Sequence, residues 1–274
     1  MRVRLVVNPL ARRGAILGEE VGEALRRRGV EVVAGDGNAE FDAIVAAGGD
    51  GTLVRQIPDA LALGVPIGIV PLGTFNDLSR TLAIPGELGA ACDVIAAGVT
   101  RAVDVARVNG AYFLSEASIG ISSRLARLQR PEDKQKFGFL AVLATTLQAV
   151  RYARPFHVEL YCDGRQERLR VIQLTIANSE RFGGIISVDD AAIDDGWLDC
   201  YCVNVESFVQ FLGVAGAIVS GKRRSAQGLR AFRARAFEVR TRRAHHVTAD
   251  GEPAGKTPAR FELLPAALRV FAPG

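Results

Sequence analysis

The chain has 274 residues, 49% of them hydrophobic and 23% charged, with a formal net charge of +4. This excludes a disordered or fibrous chain and leaves room for one large domain or two moderate ones. No apolar run reaches transmembrane length, and Met1-Arg2-Val3-Arg4-Leu5-Val6-Val7 is too short for a secretory leader, so a cytoplasmic location is expected.

Arg2 to Val7 reads as a first strand that leads into a polar turn at Asn8-Pro9. A helix through Leu17, Val21, Ala24 and Leu25 follows, closed by Arg26-Arg27-Arg28 and Gly29, which suit a helix C-terminus. Val30 to Val33 is a second strand. Phe41 to Ala47 is nearly continuous apolar sequence, as expected of a strand buried on both faces. Ala34 to Glu40 is too short for a crossover helix, because adjacent parallel strands are normally joined by about a dozen or more residues. Either the two strands are not simple neighbours or the subdomain is abbreviated.

Between the Phe41 strand and a helical pattern at Leu53, Val54, Ile57, Leu61 and Leu63 lies Gly48-Gly49-Asp50-Gly51-Thr52. A strand, a glycine turn and a helix start gather backbone N–H groups and partial positive charge at one point, which suits phosphate. Asp50 is out of place beside phosphate unless a cation accompanies it, which points to Mg²⁺ with a nucleotide. A tight βα turn in which glycines only let the chain bend is the alternative. Pro66 to Val70 is a second apolar strand, followed by Pro71-Leu72-Gly73-Thr74-Phe75-Asn76-Asp77. Two adjacent parallel strands would bring both turns to one carboxyl edge, where ligands bind in open α/β sheets. Gly48, Gly49, Gly51, Thr52 and Thr74 are the candidate phosphate cradle, and Asp50 and Asp77 the candidate carboxylates for Mg²⁺. Asp77 is equally suited to a first helical turn by the dipole alone.

Phe75 to Leu82 and Glu87 to Ala97 read as helices; the texture changes after Gly98. Asn109-Gly110 and Asp163-Gly164 mark two hairpins, one joining Arg101–Val108 to Ala111–Ala117, the other joining Phe156–Cys162 to Arg168–Ala177. Phe137 to Val150 and Phe208 to Val219 read as helices and Leu198 to Val205 as a strand. Arg230 to Arg243 reads as a long strand whose apolar phase flips between Ala236 and Phe237, which predicts a bulge or bend. Asp250-Gly251 suits a type I′ turn. Asn178 to Asp199 is rich in turns and acids. The cysteines, Cys92, Cys162, Cys200 and Cys202, form no metal pattern and read as small buried hydrophobes in a reducing cytoplasm. Nine Lys or Arg residues and one acid, Glu238, lie between Lys222 and Arg243. This is either a solvated strand face or a docking surface for an anionic membrane; nucleic acid is not expected, as no nucleic-acid motif accompanies it.

Asn8-Pro9, Gly48-Gly49-Asp50-Gly51-Thr52, Pro71-Leu72-Gly73-Thr74 with Asn76-Asp77, Asp194-Asp195-Gly196 and Asp250-Gly251-Glu252 occur in this order along the chain. In this the chain resembles the diacylglycerol kinase-like lipid kinases, with sphingosine kinases as more distant relations. The elements read as an α/β domain over residues 1–100, then a mainly antiparallel β domain over 101–274, with the active site expected in the cleft between them; the resemblance implies that the first binds nucleotide and the second lipid. The last residues are allowed to return to the first domain. It implies ATP and Mg²⁺, with Asn8, Gly73 and Asn76 joining the nucleotide-binding residues. Glu252 becomes the base that takes a proton from a lipid's primary hydroxyl, and Asp50 its catalytic partner. A structural Mg²⁺ is implied on Asp195 with the carbonyls of Ala192 and Trp197. The expected activity is transfer of the γ-phosphoryl group to a diacylglycerol-like lipid. Alternatives are a sphingoid base or other lipid alcohol as acceptor, a nucleotide-binding protein without catalysis, and a NAD kinase, which Asn76-Asp77 fits poorly. Three departures stand out. Ala34-Gly35 replaces a nucleotide-contacting Thr, Leu53-Val54-Arg55 replaces Leu-Asn-Glu, and Trp197 replaces a small aliphatic residue. His245 and His246 alternate on a strand and read as structural or solvent-exposed.

Overall fold

The computed structural model describes residues 1–8, 14–33, 40–73, 76–121, 153–179, 181–182, 186–187, 192–204, 210, 213 and 228–274. Ala34 to Gly37, Thr74, Phe75, the 137–150 helix, Asp189, Asp190 and Lys222 to Arg224 lie outside them, as does the 208–219 helix apart from residues 210 and 213. The chain divides into two units, one of residues 1–105 and 264–274, the other mainly of 106–182 and 186–263.

The first unit is a parallel sheet with helices. Its elements are β1 (Arg2–Val7), α1 (Gly14–Arg26), β2 (Glu31–Val33), β3 (Ala43–Gly48), α2 (Asp50–Val54), α3 (Ile57–Leu63), β4 (Ile67–Pro71), α4 (Asp77–Thr81), α5 (Leu88–Ala97) and the start of β5 (Thr100–Val108). The strand order is β2-β1-β3-β4, parallel throughout. β1 therefore lies between β2 and β3, and this accounts for the short interval before Phe41: the two strands are not neighbours. β3 is buried from Ala43 to Ala47 and β4 along its whole length, as apolar sequence without alternation requires. Val21, Leu25, Val45, Val70, Cys92, Ile95 and Phe271 pack into one core with them. The helical pattern after Gly51 forms two short helices rather than one. Pro58 stands in the first turn of α3, where its missing N–H is no loss but where it cannot continue a preceding helix. Gly64, at φ 67°, closes α3.

The second unit is antiparallel. It holds β6 (Ala111–Phe113), β7 (Glu116–Gly120), β8 (Phe156–Cys162), β9 (Arg165–Val171), β10 (Gln173–Ala177), β11 (Arg181–Phe182), β12 (Ile186–Ser187), β13 (Leu198–Val203), β14 (Leu229–Ala234), β15 (Ala236–Thr241), β16 (His246–Ala249), β17 (Glu252–Lys256) and the start of β18 (Ala259–Phe271), whose later residues belong to the first unit. One sheet runs β14-β13-β10-β7-β16-β17; in the other β18 pairs β15, β15 pairs β8 and β8 pairs β9. The core includes Ile119, Leu174, Ile176 and Cys200 from the first sheet and Val158, Leu160, Phe237, Val239 and Phe261 from the second. Asn109 (φ 49°) with Gly110 (φ 90°), and Asp163 (φ 47°) with Gly164 (φ 73°), make the two hairpin turns that their sequences predict.

Three stretches expected to be single strands are broken. Ala111–Ala117 divides at Leu114 and Ser115, Arg168–Ala177 at Ile172, and Arg230–Arg243 at Arg235. β9 pairs β8, whereas β10 pairs β7 and β13; β14 pairs β13, whereas β15 pairs β8 and β18. At each break the chain leaves one sheet for the other, and a bend is the price of the corner. The apolar phase flip near Ala236 is the sequence trace of the last of them. β18 also changes partners: Ala259 to Glu262 pair with β15, Ala266 takes φ 49°, and Val270 pairs with Ile67 of β4. Cys200 and Cys202 share a strand face, both buried, with Sγ atoms 3.8 Å apart. Among the described residues no helix is long and apolar enough to cross a membrane.

Candidate active site

The carboxyl ends of β1, β3 and β4 fall side by side in the first unit: Val7 is in register with Ala47, and Gly48 with Pro71. From β1 the chain goes to β2 on one side, and β3 lies on the other, so Asn8 and Gly48 stand at a switch point of the sheet. The Asn8 N–H donates to the Ala47 carbonyl at 3.3 Å, and the Leu72 N–H to that of Gly48 at 2.9 Å.

At this edge the two glycine turns touch backbone to backbone. A Cβ on Gly49 would come 3.2 Å from the Gly73 Cα; one on Gly73 would strike the Gly49 Cα and come 2.6 Å from Asn76 Oδ1. A Cβ on Gly48 would collide with the Thr52 side chain. Asn76 fastens the second turn from both sides: the Gly73 N–H donates to Oδ1 at 3.0 Å, and Nδ2 donates to the Gly73 carbonyl at 2.9 Å. Asn76 itself takes φ 51°, which Asn tolerates better than most residues.

Asp50 opens α2, and its carboxylate lies by the backbone N–H groups of Leu78 and Asn76 at the start of α4. Burial raises its pKa most, the charge of Asp77 raises it further, and these N–H groups oppose both. Asp77 is itself buried in the first turn of α4. Two carboxylates that disfavour each other's charge fit a divalent ion, and Mg²⁺ is usually held by one or two carboxylates plus the substrate's phosphates. The helix dipole contributes less than the sequence implies, because α2 has only five residues. Asn8, Gly48, Gly49, Asp50, Gly51, Thr52, Gly73, Asn76 and Asp77 are thus brought to one edge of one unit, and Arg55 is exposed just beyond α2.

In the second unit Asp250 (φ 44°) and Gly251 (φ 82°) turn β16 into β17, and Ala249 pairs with Glu252. Glu252 is exposed, so any proton it takes is taken by a solvated carboxylate. Asp250 has a part that its sequence position does not disclose. Its carboxylate accepts the N–H groups of Leu114 at 2.7 Å, Ser115 at 3.0 Å and Glu116 at 2.9 Å, holding the corner between β6 and β7. The partners are 134 to 136 residues away, and no local pattern signals them. His245 stacks on Phe156 with ring centroids 4.1 Å apart, and His246 starts β16. Asp195 is in the loop before β13, where its carboxylate accepts from the N–H groups of Ala192 and Trp197 and from Arg233.

The basic stretch also looks different once folded. Arg230 pairs with Glu167, Arg233 with Asp195 and Asp199, and Arg240 with Glu238. Three of these four acids, Glu167, Asp195 and Asp199, come from outside the stretch, so the sequence count of one acid overstates the free positive charge. Arg235 lies over the ring of Trp197, 5.4 Å from its centroid, and Arg242 and Arg243 are exposed.

Residues 2–108 match the family model of the diacylglycerol kinase catalytic domain, and residues 115–272 that of the YegS C-terminal NAD kinase beta sandwich-like domain. The chain is 30% identical to a diacylglycerol kinase of Bacillus subtilis, over 85% of this chain and 78% of that one. It is 29% identical to a diacylglycerol kinase of Mycobacterium tuberculosis, over 99% and 95%. A crystal structure of a diacylglycerol kinase from Bacillus anthracis superposes with a TM-score of 0.78 at 25% identity, covering 99% of this chain and 97% of that one.

Proposed function

Because the chain belongs to the diacylglycerol kinase-like lipid kinase family, phosphotransferases with an alcohol acceptor, we propose that it moves the γ-phosphoryl group of ATP to the primary hydroxyl of a diacylglycerol-like lipid. The observation that carries this reading is the contact of Gly49 with Gly73, fastened by Asn76. It brings the backbones of the two glycine turns against each other, and close backbone approach without side chains suits phosphates.

In this reading Gly48, Gly49, Gly51, Thr52, Gly73 and Thr74 line the nucleotide's phosphates, and Asn8 and Asn76 shape the edge. Asp50 and Asp77 would hold Mg²⁺, which offsets phosphate charge when it is bound. Glu252 accepts the proton of the lipid hydroxyl. The hydroxyl oxygen bonds to the γ-phosphorus as the bond from that phosphorus to the β–γ bridging oxygen breaks, and ADP departs with that oxygen. The exposure of Glu252 favours proton transfer late in the reaction, when the attacking oxygen has become acidic. An acceptor held in a bilayer calls for peripheral contact with an anionic membrane, and Arg242 and Arg243 are exposed charges suited to it.

The test is incubation of the purified chain with γ-labelled ATP and a total lipid extract, followed by identification of the labelled product. Label in phosphatidic acid is expected. Glu252→Gln keeps the shape and removes the charge, and should lower the rate on the order of 10²- to 10⁴-fold with ATP affinity unchanged. Label in no lipid, or a Glu252→Gln variant at the wild-type rate, overturns the reading.

A further inference from the structure

The Mg²⁺ that the resemblance implies on Asp195 does not suit the atoms around that carboxylate. Oδ1 accepts the Trp197 N–H at 2.9 Å, and Oδ2 accepts the Ala192 N–H at 3.2 Å. The Ala192 carbonyl, an expected ligand, instead accepts the Asp195 N–H at 3.4 Å. The same Oδ2 lies 2.9 Å from Arg233 Nη2. A hard divalent ion needs several oxygens at about 2.0–2.1 Å in near-octahedral array, and a guanidinium on the same oxygen repels it.

We infer that Arg233 is the built-in cation of this loop, standing where a divalent ion is expected. The strand register places it there: Asp199 of β13 is directly paired with Arg233 of β14. The guanidinium forks onto Asp199, Nε to Oδ1 and Nη2 to Oδ2, each at 3.0 Å, and Nη2 also reaches Asp195. A planar fork matches a carboxylate bidentately, which a point charge does not. Asp199 and Arg233 thus tie β13 to β14, and Asp195 draws the loop that enters β13 onto the same group. Side-chain exposure of 13% at Asp199, 22% at Asp195 and 40% at Arg233 leaves the cluster half in solvent but its acids largely covered. Arg233, rather than Mg²⁺, then holds residues 192–197 of that loop against β13 and β14. This does not depend on which substrate the protein phosphorylates.

The experiment is thermal unfolding of the full chain without nucleotide, in Mg²⁺ and in EDTA. The wild-type midpoint should be the same in both. Arg233→Met should lower it by a few degrees, and Mg²⁺ should then recover part of the loss, because two carboxylates stand without their guanidinium. A wild-type midpoint that rises saturably with Mg²⁺, and no longer rises in Asp195→Asn, overturns the inference; so does an Arg233→Met midpoint equal to the wild type. Should Arg233→Met fail to fold, Arg233→Lys keeps the charge without the fork and carries the comparison, with a lowered midpoint expected.

Discussion

Replacing Asp50 separates its structural from its chemical part. Asp50→Ala removes a half-buried carboxylate whose charged form the backbone N–H groups of Leu78 and Asn76, at the start of α4, favour. Losing a favourable polar contact of this kind costs roughly 0.5–1.5 kcal/mol, so this variant should unfold somewhat earlier as well as lose activity. Asp50→Asn retains an acceptor oxygen and should fold nearly as well as the wild type while losing phosphoryl transfer. The pH dependence sharpens the comparison. Burial and Asp77 raise the folded pKa of Asp50 above its ordinary value of 3.8. Between those two values the folded state binds more protons than the unfolded, so stability falls as pH rises through the window and is level above the folded pKa. Asp50→Asn does not titrate, and subtracting it from the wild type cancels the other carboxylates except Asp77, which is coupled to it. The stability of Asp50→Asn relative to wild type should therefore increase as pH rises from about 4, then level off. Urea unfolding of wild type, Asp50→Asn and Asp50→Ala in a series of buffers reads this directly. A difference that is flat across the series, or that runs the other way, refutes the burial of Asp50 beside Asp77 as the setting that raises its pKa; lipid phosphorylation by Asp50→Asn refutes its catalytic part.

Gly73→Ala should destabilise the fold by about 1–3 kcal/mol, as for an overpacked site, and weaken nucleotide binding, because its Cβ would meet the Gly49 backbone and the clamped Asn76. Gly86→Ala, where a Cβ meets nothing within 4 Å, is the control and should leave the melting temperature unchanged. Asp250→Ala leaves three N–H groups without their acceptor and should cost on the order of 1–3 kcal/mol or more in chemical denaturation. Glu252→Gln should leave that stability intact, so the adjacent acids separate into a structural and a chemical one. Arg242→Gln with Arg243→Gln should reduce sedimentation with anionic vesicles, and wild-type binding should fall with added salt; binding that ignores salt returns these arginines to a solvated strand end.

What was legible in the sequence is what neighbouring residues settle among themselves. Apolar runs without alternation mark β3 and β4, and glycines in the two turns after them mark the site, because burial on both faces and close backbone approach each demand a residue type in place. Asn109-Gly110, Asp163-Gly164 and Asp250-Gly251 declare their turns for the same local reason: both central residues need positive φ. The tertiary structure decided whatever depends on a partner remote in sequence. Strands that read as continuous break at Ser115, Ile172 and Arg235, because their two halves pair in different sheets. Asp250 reads as an ordinary turn residue until Leu114 to Glu116 arrive, Asp50 as a surface carboxylate until α4 begins beneath it, and Arg233 as one charge among nine until Asp199 is set opposite. A carboxylate takes any donor that the fold delivers, and its own sequence carries no mark of which donor that is.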